Sequence, residues 1–168
     1  MQNARQSPYF ENTIFVFTAD HSGGYLDREP SPTAFRVPLL LYAPKILPAP
    51  KRISHICSQT DIPPTIMSLL GGTYSHSFFG SSVLNRPPNR GRALINIGDG
   101  TLAYINAHGK MAVIPPYNTK AKLYDYNLPD KLTPAEPHGS TTDNLKQQAI
   151  SILKTANHLH QTQNYKQP

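Results

Sequence analysis

A chain of 168 residues has the length of one ordinary domain and can bury a core of its own. With 38% hydrophobic and 15% charged residues, it carries too little charge and too many apolar side chains for intrinsic disorder. The formal charge of +6 admits a polyanionic partner, but Lys and Arg are scattered and form no run, so no nucleic-acid partner is expected.

The 17 prolines fall mostly between apolar runs, which reads as short elements joined by stiff connections. A single cysteine, Cys57, has no partner for an intrachain disulfide and no second thiol for a zinc cluster, and is expected as a small buried apolar residue. No apolar stretch approaches the roughly 18 to 20 residues of a membrane span. The start, Met1-Gln-Asn-Ala-Arg5, has neither the basic stretch nor the apolar core of an export signal.

The first strong element is Thr13 to Thr18, a continuous β-branched and aromatic run of the kind found in strands covered on both faces. It points to a parallel or mixed sheet with helices over it. A polar loop with Gly23, Gly24, Pro30 and Pro32 leads to a second run, Val37 to Tyr42, whose Pro38 assigns the strand start to an edge or bulge. From Asp61 to Gly71 the pattern is a short helix: Asp61 as cap, Pro63 and Pro64 in the first turn, Gly71 as stop, and Ile62, Ile66, Leu69 and Leu70 as the buried face.

Four short β-like runs follow, Arg92 to Ile97, Leu102 to Ala107, Lys110 to Ile114 and Lys122 to Tyr126. Gly98, Gly100, Gly109 and Pro115 to Asn118 supply turns between them, so a small antiparallel sheet is expected. Pro129 to Ser140 reads as a connector. Beyond it Leu145, Ala149, Ile152, Leu153, Ala156 and Leu159 recur at helical spacing, with Thr142 and Asp143 as cap and first-turn residues. The expected architecture is therefore α/β: residues 1–86 as sheet and helix, 87–128 as a small β subdomain, 129–141 as connector and 142–161 as terminal helix.

Chemistry concentrates at Asp20-His21, two residues beyond the first strand, where ligands generally bind on α/β sheets. A carboxylate and an imidazole suit a borderline divalent cation, and adjacent side chains at a strand end can converge on one ion. A catalytic zinc site wants at least three protein ligands, and a bare Asp-His pair is equally a turn residue beside a surface histidine. Among other polar side chains, Arg36 is a phosphate contact or a strand-entry ion pair, and Phe15, Phe17 and Tyr42 fit a core. The remaining histidines, His55, His76, His108, His138, His158 and His160, make no pair with helical ligand spacing.

Three ordered stretches bear on that choice. Asn12-Thr-Ile-Phe-Val-Phe-Thr-Ala-Asp20-His21-Ser-Gly-Gly24, then Arg36-Val-Pro-Leu-Leu-Leu-Tyr-Ala-Pro44, then Ser58-Gln-Thr-Asp-Ile-Pro-Pro-Thr65 with its following helix together resemble the alkaline phosphatase and sulfatase superfamily. Phe78-Phe-Gly80-Ser-Ser-Val-Leu84 and Arg92-Ala-Leu94 are similar to its lipoteichoic-acid-synthase-like phosphoglycerol transferases, and Lys122-Leu-Tyr124 and the last helix agree with that branch. The resemblance implies a partial alkaline-phosphatase-like sandwich and a Mn, Mg or Zn ion held in part by Asp20 and His21. It also implies a threonine nucleophile acting on a phosphodiester such as the phosphatidylglycerol head group, at the extracytoplasmic face of a bacterial membrane.

In that family the nucleophile and the first acidic ligand lie well upstream of the Asp-His pair. The hydroxyls here, Ser22, Ser58, Thr60 and Thr65, have no second strand-end acid beside them, and Thr65 fits helix packing. The chain is thus expected as the C-terminal portion of such a domain, inactive alone, with an incomplete metal site and no catalytic residue of its own. It would self-associate or require its missing N-terminal half. The alternative is a non-catalytic relative acting as a binding module.

Overall fold

The computed structural model describes residues 1–22, 35–98, 100–115, 120–127, 131–135 and 139–163. The expected loop glycines and prolines at 23–34, the turn residues 116–118 and His138 lie outside them.

Among the described residues, two antiparallel sheets and three α-helices make an α/β architecture. After a one-turn helix α1, Gln2–Arg5, and a 3₁₀ turn at Phe10–Asn12, strand β1, Phe15–Thr18, pairs antiparallel with β2, Leu39–Tyr42. The register sets Phe15 opposite Tyr42 and Thr18 opposite Leu39. Phe10, Phe15 and Tyr42 close one end of this ribbon as an aromatic cluster, with ring centroids of Phe10 at 5.5 Å from Phe15 and 6.0 Å from Tyr42.

Both strands were expected to be covered on both faces, and they are not. Phe17 is 44% and Leu40 57% exposed. A two-stranded ribbon pairs only its inner edges, and among the described residues neither strand has a second sheet neighbour. The apolar run therefore identifies the strands correctly, while the cover it calls for does not come from these residues.

Helix α2, Ile62–Leu70, begins and ends where Asp61, the prolines and Gly71 dictate; Gly71 has φ +75° and its N–H donates to Met67 O at 3.1 Å. Its buried side differs from the expected one: Pro64 and Thr65 are buried, Ile62, Ile66 and Leu69 half-buried, and Leu70 exposed. The cause is the segment at 81–83, which packs over the first turn, where Val83 N donates to the Thr65 hydroxyl at 3.1 Å.

The second sheet is an up-and-down meander of β3, Arg92–Gly98, β4, Thr101–Asn106, β5, Lys110–Ile114, β6, Lys122–Asn127, and β7, Lys131–Pro134. Period-two alternation sorts its side chains onto two faces. Ala103, Ile105, Met111, Val113, Tyr124 and Tyr126 form one core with Ile56 and Ile95, while Tyr104, Ala112, Ile114 and Leu123 form another under the last helix. The tight turn between β4 and β5 is fixed by Asn106, whose Oδ1 accepts from His108 N and Lys110 N, and by Gly109 at φ +74°.

Strand β7 occupies part of the expected connector. Lys-Leu-Thr-Pro is too short and proline-bearing to announce a strand, but an edge position tolerates proline, and pairing of Tyr124 with Pro134 through Asn127 with Lys131 makes it one. Helix α3, Gly139–Thr162, starts before the expected cap, so Thr142 lies inside it and is buried. Leu145 and Ala149 pack on the sheet, with Ile152 at the margin, whereas Leu153 is 40% exposed. Tyr104 OH donates to Gln148 Oε1 at 2.7 Å and pins the helix in register. No described helix is long and apolar enough to cross a membrane.

Candidate metal half-site

Strand β1 runs out at Thr18, and Asp20 and His21 project from the chain immediately beyond it, with side chains 88% and 80% exposed. Asp20 Oδ1 accepts the His21 backbone N–H at 2.8 Å, which folds the carboxylate back along the chain, and Oδ2 then lies 3.5 Å from His21 Nε2. His21 Nδ1 is 3.0 Å from Ser22 O. A carbonyl only accepts, so Nδ1 carries the proton, and in the neutral ring the Nε2 lone pair is free to coordinate. That bond, and secondarily the Asp20 carboxylate, raises the His21 pKa above its ordinary value.

The donor set suits a divalent cation. Ligand distances of about 2.0–2.2 Å at a tetrahedral angle put two donors roughly 3.3–3.6 Å apart, and the Asp20 and His21 donor atoms are 3.5 Å apart. A metal-ligating imidazole usually donates its second ring N–H to a carboxylate, a backbone carbonyl or water, as His21 Nδ1 does to Ser22 O. Two donors remain short of a complete site, and among the described residues no three His, Cys, Asp or Glu side chains converge on a metal position.

Behind the strand end lies a buried ion pair. Ser58 and Asp61 form a capping box around the 3₁₀ turn Gln59–Asp61 that feeds α2, with Asp61 Oδ2 accepting from Ser58 N at 2.8 Å. Asp61 Oδ1 accepts from Ser81 N and meets Arg86 Nη1, both at 2.9 Å, with the two side chains only 3% and 6% exposed. Asp61 was expected to cap α2; its side chain instead serves the turn before the helix and the segment across from it. Arg86 also donates to Ile56 O and to the Ser81 hydroxyl.

The other candidates find structural roles. Thr65 is buried and donates to Asp61 O at 2.6 Å, which accounts for it by helix packing. Cys57 is half-buried beside Arg86, and desolvation raises its thiol pKa, the opposite of an activated nucleophile. Burial also lowers the His55 pKa, helped by the Arg86 charge. Arg36 is exposed, with no carboxylate partner among the described residues.

Residues 1–72 match the sulfatase family model. That sulfatase-matching segment contains β1, Asp20-His21, β2, the capping box and α2, and it supports the resemblance to the alkaline phosphatase and sulfatase superfamily over the stretch where its ordered motifs lie. Sulfatases are generally metal-dependent. The five-stranded sheet and α3 follow the sulfatase-matching segment. No solved structure matches the chain.

Two residues of this region escaped the sequence: Gln59, which reaches from the 3₁₀ turn to the end of β1, and Arg86. The Ser58-x-x-Asp61 spacing could have announced the capping box, whereas nothing local marks an arginine 25 positions later as the partner of Asp61.

Proposed function

We propose that this chain contributes the Asp-His half of a divalent-metal site used for phosphodiester transfer or hydrolysis, in the manner of the phosphoglycerol-transferase branch of the sulfatases. The observation that carries the reading is the placing of His21 Nε2 3.5 Å from Asp20 Oδ2 at the end of β1, the separation of two ligands of one ion. Asp20 Oδ2 and His21 Nε2 would hold a Mn, Mg or Zn ion. When bound, such an ion neutralises charge on phosphoryl oxygens and lowers the pKa of a coordinated hydroxyl. His21 keeps its Nδ1 proton on Ser22 O throughout, which fixes the tautomer, and Asp20 keeps one oxygen for the ion by spending the other on its neighbour's amide.

The nucleophile and remaining ligands come, on this reading, from a complementing N-terminal segment, and the exposed ribbon of β1 and β2 is the face that would receive it. Work on a phospholipid-derived substrate would take place at the extracytoplasmic face of a bacterial membrane. The exposed ribbon equally favours the second reading, a non-catalytic module that binds a partner strand.

Calorimetric titration of the 168-residue chain with Mn²⁺ tests the half-site. Weak binding that disappears in the Asp20→Ala/His21→Ala double variant, without release of glycerol phosphate from phosphatidylglycerol vesicles, is expected. Tight stoichiometric binding, turnover by the chain alone, or indifference to the double substitution would each overturn it.

A further inference from the structure

The carboxamide of Gln59 lies against the candidate ligands' own backbone. Its Nε2 donates to Ala19 O at 2.9 Å and to Asp20 O at 3.0 Å, across a sequence separation of 40 and 39 residues. One NH₂ group reaching two consecutive carbonyls fixes the two successive peptide planes on either side of the Asp20 Cα relative to each other, because Ala19 O lies in the plane before that atom and Asp20 O in the plane after it. A surface glutamine loses rotamer entropy when held this way, so the two bonds must outweigh that cost.

The other end of Gln59 is anchored. It is the first residue of the 3₁₀ turn, between Ser58 and Asp61 of the capping box, and Asp61 is tied to Ser81 N and the buried Arg86. The approach is close on that side too: a Cβ on Gly80 would sit 2.0 Å from Thr60 O, so the segment at 80–81 presses directly on the turn. A rigid buried lock, a single side chain and an otherwise solvent-exposed strand end thus form one continuous hydrogen-bonded path.

We infer that Gln59 is the positioning residue for the Asp20-His21 pair, transmitting the fixed geometry of the Ser58, Asp61 and Arg86 lock to the end of β1. The inference rests on Asp20 and His21 being metal ligands. Ligands this exposed have little packing to orient them, and partners behind metal ligands typically contribute 10- to 100-fold in affinity. Gln59 touches neither ligand side chain and acts through the backbone that carries both.

The test uses the full isotopically labelled chain and Gln59→Met, which keeps side-chain length at an exposed position and removes the donors. Mn²⁺ is titrated while paramagnetic broadening of the His21 ring resonances is followed, with His158 as an exposed control, and amide relaxation reports ps–ns order at Asp20 and His21. The expected result is a rise of about ten-fold in the Mn²⁺ concentration for half-broadening, with lower order at both amides and an unchanged thermal midpoint. A His21 response and backbone order identical in the two proteins overturn the positioning role and leave the ligand reading standing. No selective response at His21 in the unsubstituted chain overturns the ligand reading, and the positioning role falls with it. A lowered thermal midpoint accompanied by broadening unchanged from the parent chain makes Gln59 a purely structural residue, which also overturns the inference.

Discussion

His21 is held in one tautomer by a backbone carbonyl and faces a carboxylate through its other nitrogen, and both contacts favour the protonated ring. Its titration midpoint is therefore expected above the ordinary 6.5. Asp20→Asn should lower the midpoint without returning it fully, because the Ser22 carbonyl remains; a histidine-resolved NMR titration reads this directly. Protons and metal compete for Nε2, so Mn²⁺ affinity should fall as pH drops through that raised midpoint and level off above it. An unchanged midpoint in Asp20→Asn would mean that the two side chains do not share a site. The pair itself was legible in the sequence, since a strand pattern followed by Asp-His names both residues. The tautomer was not, because it depends on the direction of the Ser22 carbonyl, which no residue identity encodes.

At the scale of elements, the turn that leads into α2 is stabilised by a buried charge pair with its remaining acceptors occupied by backbone N–H groups, the arrangement in which removing one partner costs most. Arg86→Met leaves the Asp61 carboxylate buried with two amide donors and no cation, and should cost about 3–5 kcal/mol in denaturant unfolding. Asp61→Asn/Arg86→Met should recover part of that loss, since the uncompensated charge is gone. Gly80→Ala drives a methyl group into Thr60 O at 2.0 Å, a backbone atom that cannot swing away, and should cost roughly 1–3 kcal/mol by the same measurement. The equivalent change at Gly71 meets open space, but φ +75° with ψ −175° is a conformation essentially restricted to glycine, so its cost, about 1–3 kcal/mol, is purely conformational. The short helix, the first four meander strands and α3 were all readable from period and punctuation. β7 and the Asp61–Arg86 pair were not, because each exists only through a neighbour: a strand of four residues needs its ladder, and a buried arginine needs an acid brought close by a fold.

The molecule as a whole divides unevenly between finished and unfinished surface. The five-stranded sheet is covered by α3 on one face and by the segment around Ile56 on the other, with Tyr104, Met111 and Ala112 at most 1% exposed. Among the described residues the β1–β2 ribbon has no further strand neighbour and presents Phe17, Leu39 and Leu40, and an open groove of about 1310 Å³ separates β2 from the meander, bordered by Leu41, Ile46, Ile95 and Ile105. Exposed apolar strands with free N–H and C=O groups pair with whatever strand is offered, and the cheapest supply at high concentration is a second copy of the chain. The chain should therefore elute larger than a monomer in size-exclusion chromatography and bind an apolar dye. Leu40→Lys places a charge at the most exposed large apolar side chain of the ribbon and should shift elution toward the monomer while leaving far-ultraviolet circular dichroism unchanged, because the meander core does not involve it. A dye-silent monomer would mean that the ribbon is covered in solution by the chain itself, and the need for a complementing segment would go with it. Association that survives Leu40→Lys would place the contact away from this part of the ribbon and from the groove that Leu40 also lines.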